Sequence, residues 1–139
     1  MIVLDTNVLS EVWRPAPSSK VMAWMRSQPI SALFTTTITE AELFYGIALL
    51  ADGKRRRALE SVVSSIFTED LAGRVLPFDS AAAREYAVIA AARRRAGRPI
   101  AEADAQIAAI ARSRGATVAT RNVEDFTGCG ISLVSPWEE

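Results

Sequence analysis

Short apolar runs alternate along this chain with longer segments whose apolar residues recur at helical spacing. Runs of four to six residues bounded by polar ones read as buried strands, and the pattern predicts strands over 2–4, 32–35, 74–76, 117–119 and a short terminal one over 131–134. Helices are expected over 8–13, 19–27, 39–51, 54–67, 80–96 and 103–114. Gly97, Gly115 and the Ala51-Asp52-Gly53 turn supply helix stops, because glycine takes positive φ at little steric cost. Pro15 and Pro17 stiffen the joint between the first two helices. Such alternation is the signature of α/β proteins in which helices cover a parallel sheet, and 139 residues make one domain, 1–139.

The first run ends Leu4-Asp5-Thr6-Asn7. Burying an unpaired carboxylate costs several kcal/mol, so Asp5 belongs where the strand leaves the sheet. In open α/β sheets that rim is where ligands bind. Glu42 follows the second run, and two capping boxes compete for its helix, Thr39 with Glu42 or Thr37 with Glu40. If Thr37 caps, Glu42 projects near the strand ends, free for other work. Glu102 and Asp104 suit a first helical turn through the helix dipole alone. Asp104, however, precedes Ile107 by three on the side of the stripe Ile107, Ile110 and Ala111, where an acid needs a partner. The fourth run leads into Thr120-Arg121-Asn122-Val123-Glu124-Asp125-Phe126, either an ordinary Asx-turn loop or a third edge bringing oxygen atoms to the same rim.

Composition narrows the chemistry. There is no histidine, which removes Ser-His-Asp and Cys-His pairs, imidazole bases and His-ligated zinc. The single Cys129 excludes an internal disulfide and suits a reducing compartment, with cytoplasm as the default. No apolar run approaches the roughly 18 residues of a membrane span. Lys plus Arg and Asp plus Glu balance at sixteen each, against a generic nucleic-acid coat or a polybasic membrane binder. Catalysis then falls to carboxylates. Two of them about 4 Å apart repel by roughly 4 kcal/mol at an effective dielectric of about 20, so three converging acids call for a cation. Oxygen donors alone indicate Mg²⁺ or Mn²⁺ over zinc or copper.

Taken together, Asp5-Thr6-Asn7, Thr39-Glu40-Ala41-Glu42-Leu43 with Gly46, Ala103-Asp104-Ala105-Gln106-Ile107-Ala108 and Ala119-Thr120-Arg121-Asn122-Val123-Glu124-Asp125-Phe126 resemble the PIN-domain family, within it the VapC toxins of bacterial toxin–antitoxin pairs and their FitB-like branch. The resemblance covers nearly the whole length. It implies a three-layer α/β/α sandwich around the parallel sheet and a Mg²⁺- or Mn²⁺-dependent endoribonuclease acting on tRNA or ribosomal RNA. The family's metal-site acids map onto Asp5, Glu42 and Asp104. Its fourth acidic position is shared between Asn122, by spacing, and Asp125, three residues on. Thr6 and Thr120 match hydroxyl positions lining the site, with Asn7 beside them. A cognate VapB-type antitoxin and a homodimer are the partners implied.

Substrate phosphates need docking, and Arg121, beside the fourth position, ranks first. Lys54-Arg55-Arg56-Arg57 and Arg93-Arg94-Arg95 with Arg98 are further candidates, although either run equally describes a solvated helix face. Trp13, Met22, Trp24 and Met25, and Phe44, Tyr45 and Leu49 after Glu42, suit an interface or packing over the sheet. Two rival functions remain. A Mg²⁺-dependent phosphatase or receiver domain also ends its first strand in Asp, but the former wants a second Asp where Asn7 stands, and both want a lysine near a later strand end, where neither Lys20 nor Lys54 lies. A PIN-like module with a weak site, acting through RNA or protein contacts, is kept open by Asn122.

Overall fold

A computed structural model describes residues 1–138. Five strands, β1 (Ile2–Leu4), β2 (Leu33–Thr36), β3 (Val75–Leu76), β4 (Thr117–Ala119) and β5 (Ser132–Val134), form one sheet in the order β3-β2-β1-β4-β5. Every pairing is parallel. Six α-helices connect them: α1 (Thr6–Val12), α2 (Ser19–Ser27), α3 (Thr37–Ala48), α4 (Lys54–Ser65), α5 (Ser80–Arg95) and α6 (Glu102–Ser113).

Successive strand residues face opposite sides of the sheet, which sorts the core into two layers. Val3 and Val118 pack with Ile89, Ile107 and Ile110 under α5 and α6. Leu4 and Ala119, their neighbours in sequence, pack with Val8, Leu9, Trp24, Ile47 and Val63 under α1 to α4. This is the expected three-layer α/β/α sandwich.

Three helices depart from expectation by two residues or more. Helix α1 starts at Thr6 rather than Val8, because Asp5 itself caps it. Helix α3 runs Thr37–Ala48 rather than 39–51, so it stops ahead of the Ala51-Asp52-Gly53 turn. The segment expected as one helix over 54–67 leaves the α form at Ser65 and continues as a π-helix, Ile66–Asp70, in which the Leu71 N–H donates to the Ile66 carbonyl at 2.8 Å. Val63, Phe67 and Leu71 are all buried and spaced by four. At 3.6 residues per turn each such step drifts roughly 40° round the helix, so wider winding keeps all three on the core side. No helix among the described residues is long and apolar enough to cross a membrane.

Candidate active site

Strands β1 and β4 end side by side where the strand order reverses, the place in a parallel sheet where a crevice opens. The Asp5 N–H donates to the Ala119 carbonyl at 2.9 Å, carrying the ladder one step past the strands and setting Asp5 beside Thr120. Asp5 is buried, and donors surround its carboxylate. Oδ1 accepts from the Thr6 N–H at 2.8 Å; Oδ2 accepts from the Thr120 hydroxyl at 2.8 Å and from the Asn7 amide at 3.3 Å. With its one proton committed to Asp5, the Thr120 hydroxyl accepts from the Asn122 N–H at 3.1 Å. Asn7 Oδ1 in turn accepts from the Arg121 N–H at 3.1 Å.

Glu42 enters from α3, and neither expected capping box forms. Thr36 caps the helix, its hydroxyl accepting from the Thr39 N–H at 3.2 Å, because β2 runs one residue further than the apolar pattern implied. Glu42 is therefore not consumed as a cap. The Thr6 hydroxyl donates to its Oε1 at 2.7 Å and lies 3.0 Å from the Thr39 hydroxyl. A carboxylate only accepts and each hydroxyl has one proton, so buried Thr39 is left to donate to Thr6, and Thr6 to Glu42.

Asp104 sits half-buried in the first turn of α6, with Ile107, Ile110 and Ala111 buried below it. Its carboxyl is pushed up to about 6, first by burial and then by the negative charges of Asp5, Asp125 and Glu42, while Arg93 pulls it back. Burial also raises Asp5; hydrogen bonds from Thr120 and Thr6 hold it down in part, and the Glu42 charge raises it further. The charges of Asp5, Asp125 and Glu42 thus reach Asp104 across the strand ends, and that of Glu42 reaches Asp5. Asn122 and Asp125 separate here: Asp125 reaches Asp104 with its charge, whereas exposed Asn122 joins through its backbone N–H.

The basic runs are corrected in one respect. Arg93 is no solvated phosphate-docking residue: it is 7% exposed and donates to the carbonyls of Arg98, Asp125 and Thr127 at 2.7, 2.9 and 3.0 Å. Arg94, Arg95, Arg98, Lys54, Arg55 and Arg57 are exposed. Of the aromatic and apolar group, Trp24 is buried in the core while Tyr45 and Leu49 are exposed.

Three residues near the site went unread. Thr39 looked like a cap rather than a hydroxyl relay. Glu11 stands one helical turn beyond Asn7, a spacing visible in the sequence; it is buried and held below its usual range by the Ser18 N–H at 2.7 Å and by Arg14 at 3.0 Å. Trp137 lies under the Arg121 guanidinium, 5.1 Å from it, and no local pattern links positions 121 and 137.

Among the described residues, no three His, Cys, Asp or Glu side chains are gathered as ready ligands round one point. What the rim offers is an excess of oxygen donors of one sign.

A model of the PIN domain matches residues 2–127. VapC ribonuclease Y4jK of Sinorhizobium fredii is 44% identical over 138 residues, 99% of both chains. Toxin FitB of Neisseria gonorrhoeae is 40% identical over 139 residues, 100% of both chains. Among solved structures, that of FitAcB from Neisseria gonorrhoeae matches with a TM-score of 0.94 at 40% identity, covering 100% of both chains.

Proposed function

Because the chain belongs to the PIN-domain family, we propose that it is the ribonuclease toxin of a VapC-type toxin–antitoxin pair, hydrolysing RNA phosphodiesters at the acidic rim. One observation carries this reading: at the strand switch point the charges of Asp5, Asp125 and Glu42 add to burial in raising Asp104, and that of Glu42 adds to burial in raising Asp5, a cost that a binding surface has no reason to bear. The ribonuclease and toxin names of full-length relatives support the same class. Membership of this family sets aside the phosphatase and receiver readings.

The donor set suits Mg²⁺ or Mn²⁺ in element and charge, being carboxylate oxygen throughout. Asp5, Asp104 and Glu42 would hold the ion, with Asp125 rather than Asn122 as the fourth acid, since its charge already acts on Asp104. Such an ion, when bound, lowers the pKa of a water and neutralises charge developing on the phosphodiester. The chain's own residues do the positioning. Thr120 and Asn7 fix one edge of the Asp5 carboxylate and the Thr6 N–H the other. Thr6 and Thr39 hold Glu42 at its reach across from α3. Asp104 must shed its proton to serve, which ties activity to pH above about 6.

The reading extends to a cytoplasmic homodimer silenced by a cognate VapB-type antitoxin; the match to FitAcB supports the antitoxin partner. The test is cleavage of RNA by the purified chain in Mg²⁺, Mn²⁺ or EDTA. Cleavage should need the ion, stop with EDTA and return with Mn²⁺. Metal-insensitive RNA binding without cleavage would favour the binding module.

A further inference from the structure

Arg121 first suggests a phosphate clamp, but its surroundings argue otherwise. The guanidinium lies 5.1 Å from the centre of the Trp137 ring, within the range of a cation–π contact. Trp137 is itself packed against the core layer containing Leu4 and Ala119, so the support is firm. Arg121 is exposed, which leaves the other face of its planar group open. Beside it is a cleft of about 290 Å³ lined by Arg121, Asn122, Val123, Glu124, Asp125 and Glu138. Three carboxylates, Glu124, Asp125 and Glu138, line it with one guanidinium, whose charge also reaches buried Glu11. A phosphate entering would meet net repulsion. A nucleobase would not: its exocyclic amino group donates to carboxylates, and its ring stacks on a guanidinium plane.

We propose that the Arg121–Trp137 pair is a stacking platform for one unpaired base of the RNA strand, with the carboxylates of the adjoining cleft accepting from that base's amino edge. This rests on the ribonuclease reading and adds to it a preference for single strands and for amino-bearing bases over uracil. The platform is tied to the reacting end of the sheet. The Arg121 N–H donates to Asn7 Oδ1 at 3.1 Å and the Asn7 amide to Asp5 at 3.3 Å, so a stacked base keeps a set distance from the acids. Asp125 joins the two sites, lining the cleft while its charge raises Asp104.

The experiment uses the full chain carrying Trp13→Phe and Trp24→Phe, which leaves Trp137 as its one tryptophan. With Ca²⁺ in place of Mg²⁺, Trp137 fluorescence is titrated with decamers of oligo(A), oligo(C) and oligo(U) and with an abasic ribose-phosphate decamer of equal charge. The expected result is quenching by base-bearing strands, about tenfold tighter binding than the abasic strand, and oligo(U) the weakest of the three. Arg121→Lys keeps the charge and loses the plane, so it should bind all strands at the abasic level; in cleavage it should raise KM about tenfold with kcat nearly unchanged. Equal binding of abasic and base-bearing strands, or full retention by Arg121→Lys, overturns the platform. If the chain still cuts RNA in Mg²⁺, only the platform falls; if it neither cuts nor binds any strand, the ribonuclease reading falls with it.

Discussion

Asp5 and Arg93 are both buried charges with their hydrogen bonds met, yet their neighbourhoods are opposites. Arg93 faces three backbone carbonyls, dipoles whose negative ends compensate its charge. Asp5 has good donors in Thr6, Asn7 and Thr120, but the charges beyond them, Glu42 and Asp104, share its sign. The first arrangement is a stable fastening of α5 to the 3-10 turn Val123–Phe126. In the second, repulsion remains after every hydrogen bond is counted, and that remainder is what a cation and a phosphodiester can use. The two meet at Asp125, whose carbonyl Arg93 grips while its carboxylate acts on Asp104.

The comparison breaks first at Asp5. Asp5→Asn keeps the shape but removes the charge and turns one accepting oxygen into a donor; RNA cleavage should fall about 1,000-fold, ~4 kcal/mol of barrier, with the far-UV circular dichroism unchanged. A variant that cleaves normally would refute the site. Arg93→Met should do the reverse, costing about 3 kcal/mol in urea unfolding because three carbonyls lose their donor. A stability loss near zero would mean that water replaces the guanidinium and the seam is no fastening.

Asp104→Asn sharpens the contrast, because it should abolish cleavage and yet stabilise the metal-free protein. The Asp104 pKa is raised on folding, so from about pH 4 to 6 the native state holds a proton that the unfolded chain has released. Its contribution to stability is therefore present below the unfolded pKa and lost as pH rises through about 6. At pH 7 the variant should gain about 1 kcal/mol after solvent screening, with no gain at pH 3.5. The same titration predicts that wild-type cleavage declines as pH falls through about 6, read from a pH–rate profile. The smallest effect belongs to Thr6→Val, which frees Glu42 from its hydroxyl: about a fivefold loss of cleavage, ~1 kcal/mol, with stability within about 1 kcal/mol of wild type.

Much of the rim was legible because apolar runs and their polar ends are local signals. Leu4-Asp5 and Ala119-Thr120 stand at strand ends as the pattern implied, and Asp104 lies at the N-terminus of α6, above its buried stripe. Glu42 was harder: Thr35, Thr36, Thr37 and Thr39 all offer capping hydroxyls, and only the length of β2 decides among them. Arg93 looked like its neighbours in an arginine run, since the carbonyls that bury it come from a turn some thirty residues on. The Arg121–Trp137 contact is of the same long-range kind.

The most direct test of the central claim, that like charges at the rim await a cation, is the thermal unfolding midpoint with and without Mn²⁺. Wild type should rise by several degrees at saturating Mn²⁺, as ligand linkage requires, and Asp104→Asn should start higher in EDTA and respond little. A wild-type midpoint indifferent to Mn²⁺, or an equal rise in both proteins, would contradict it.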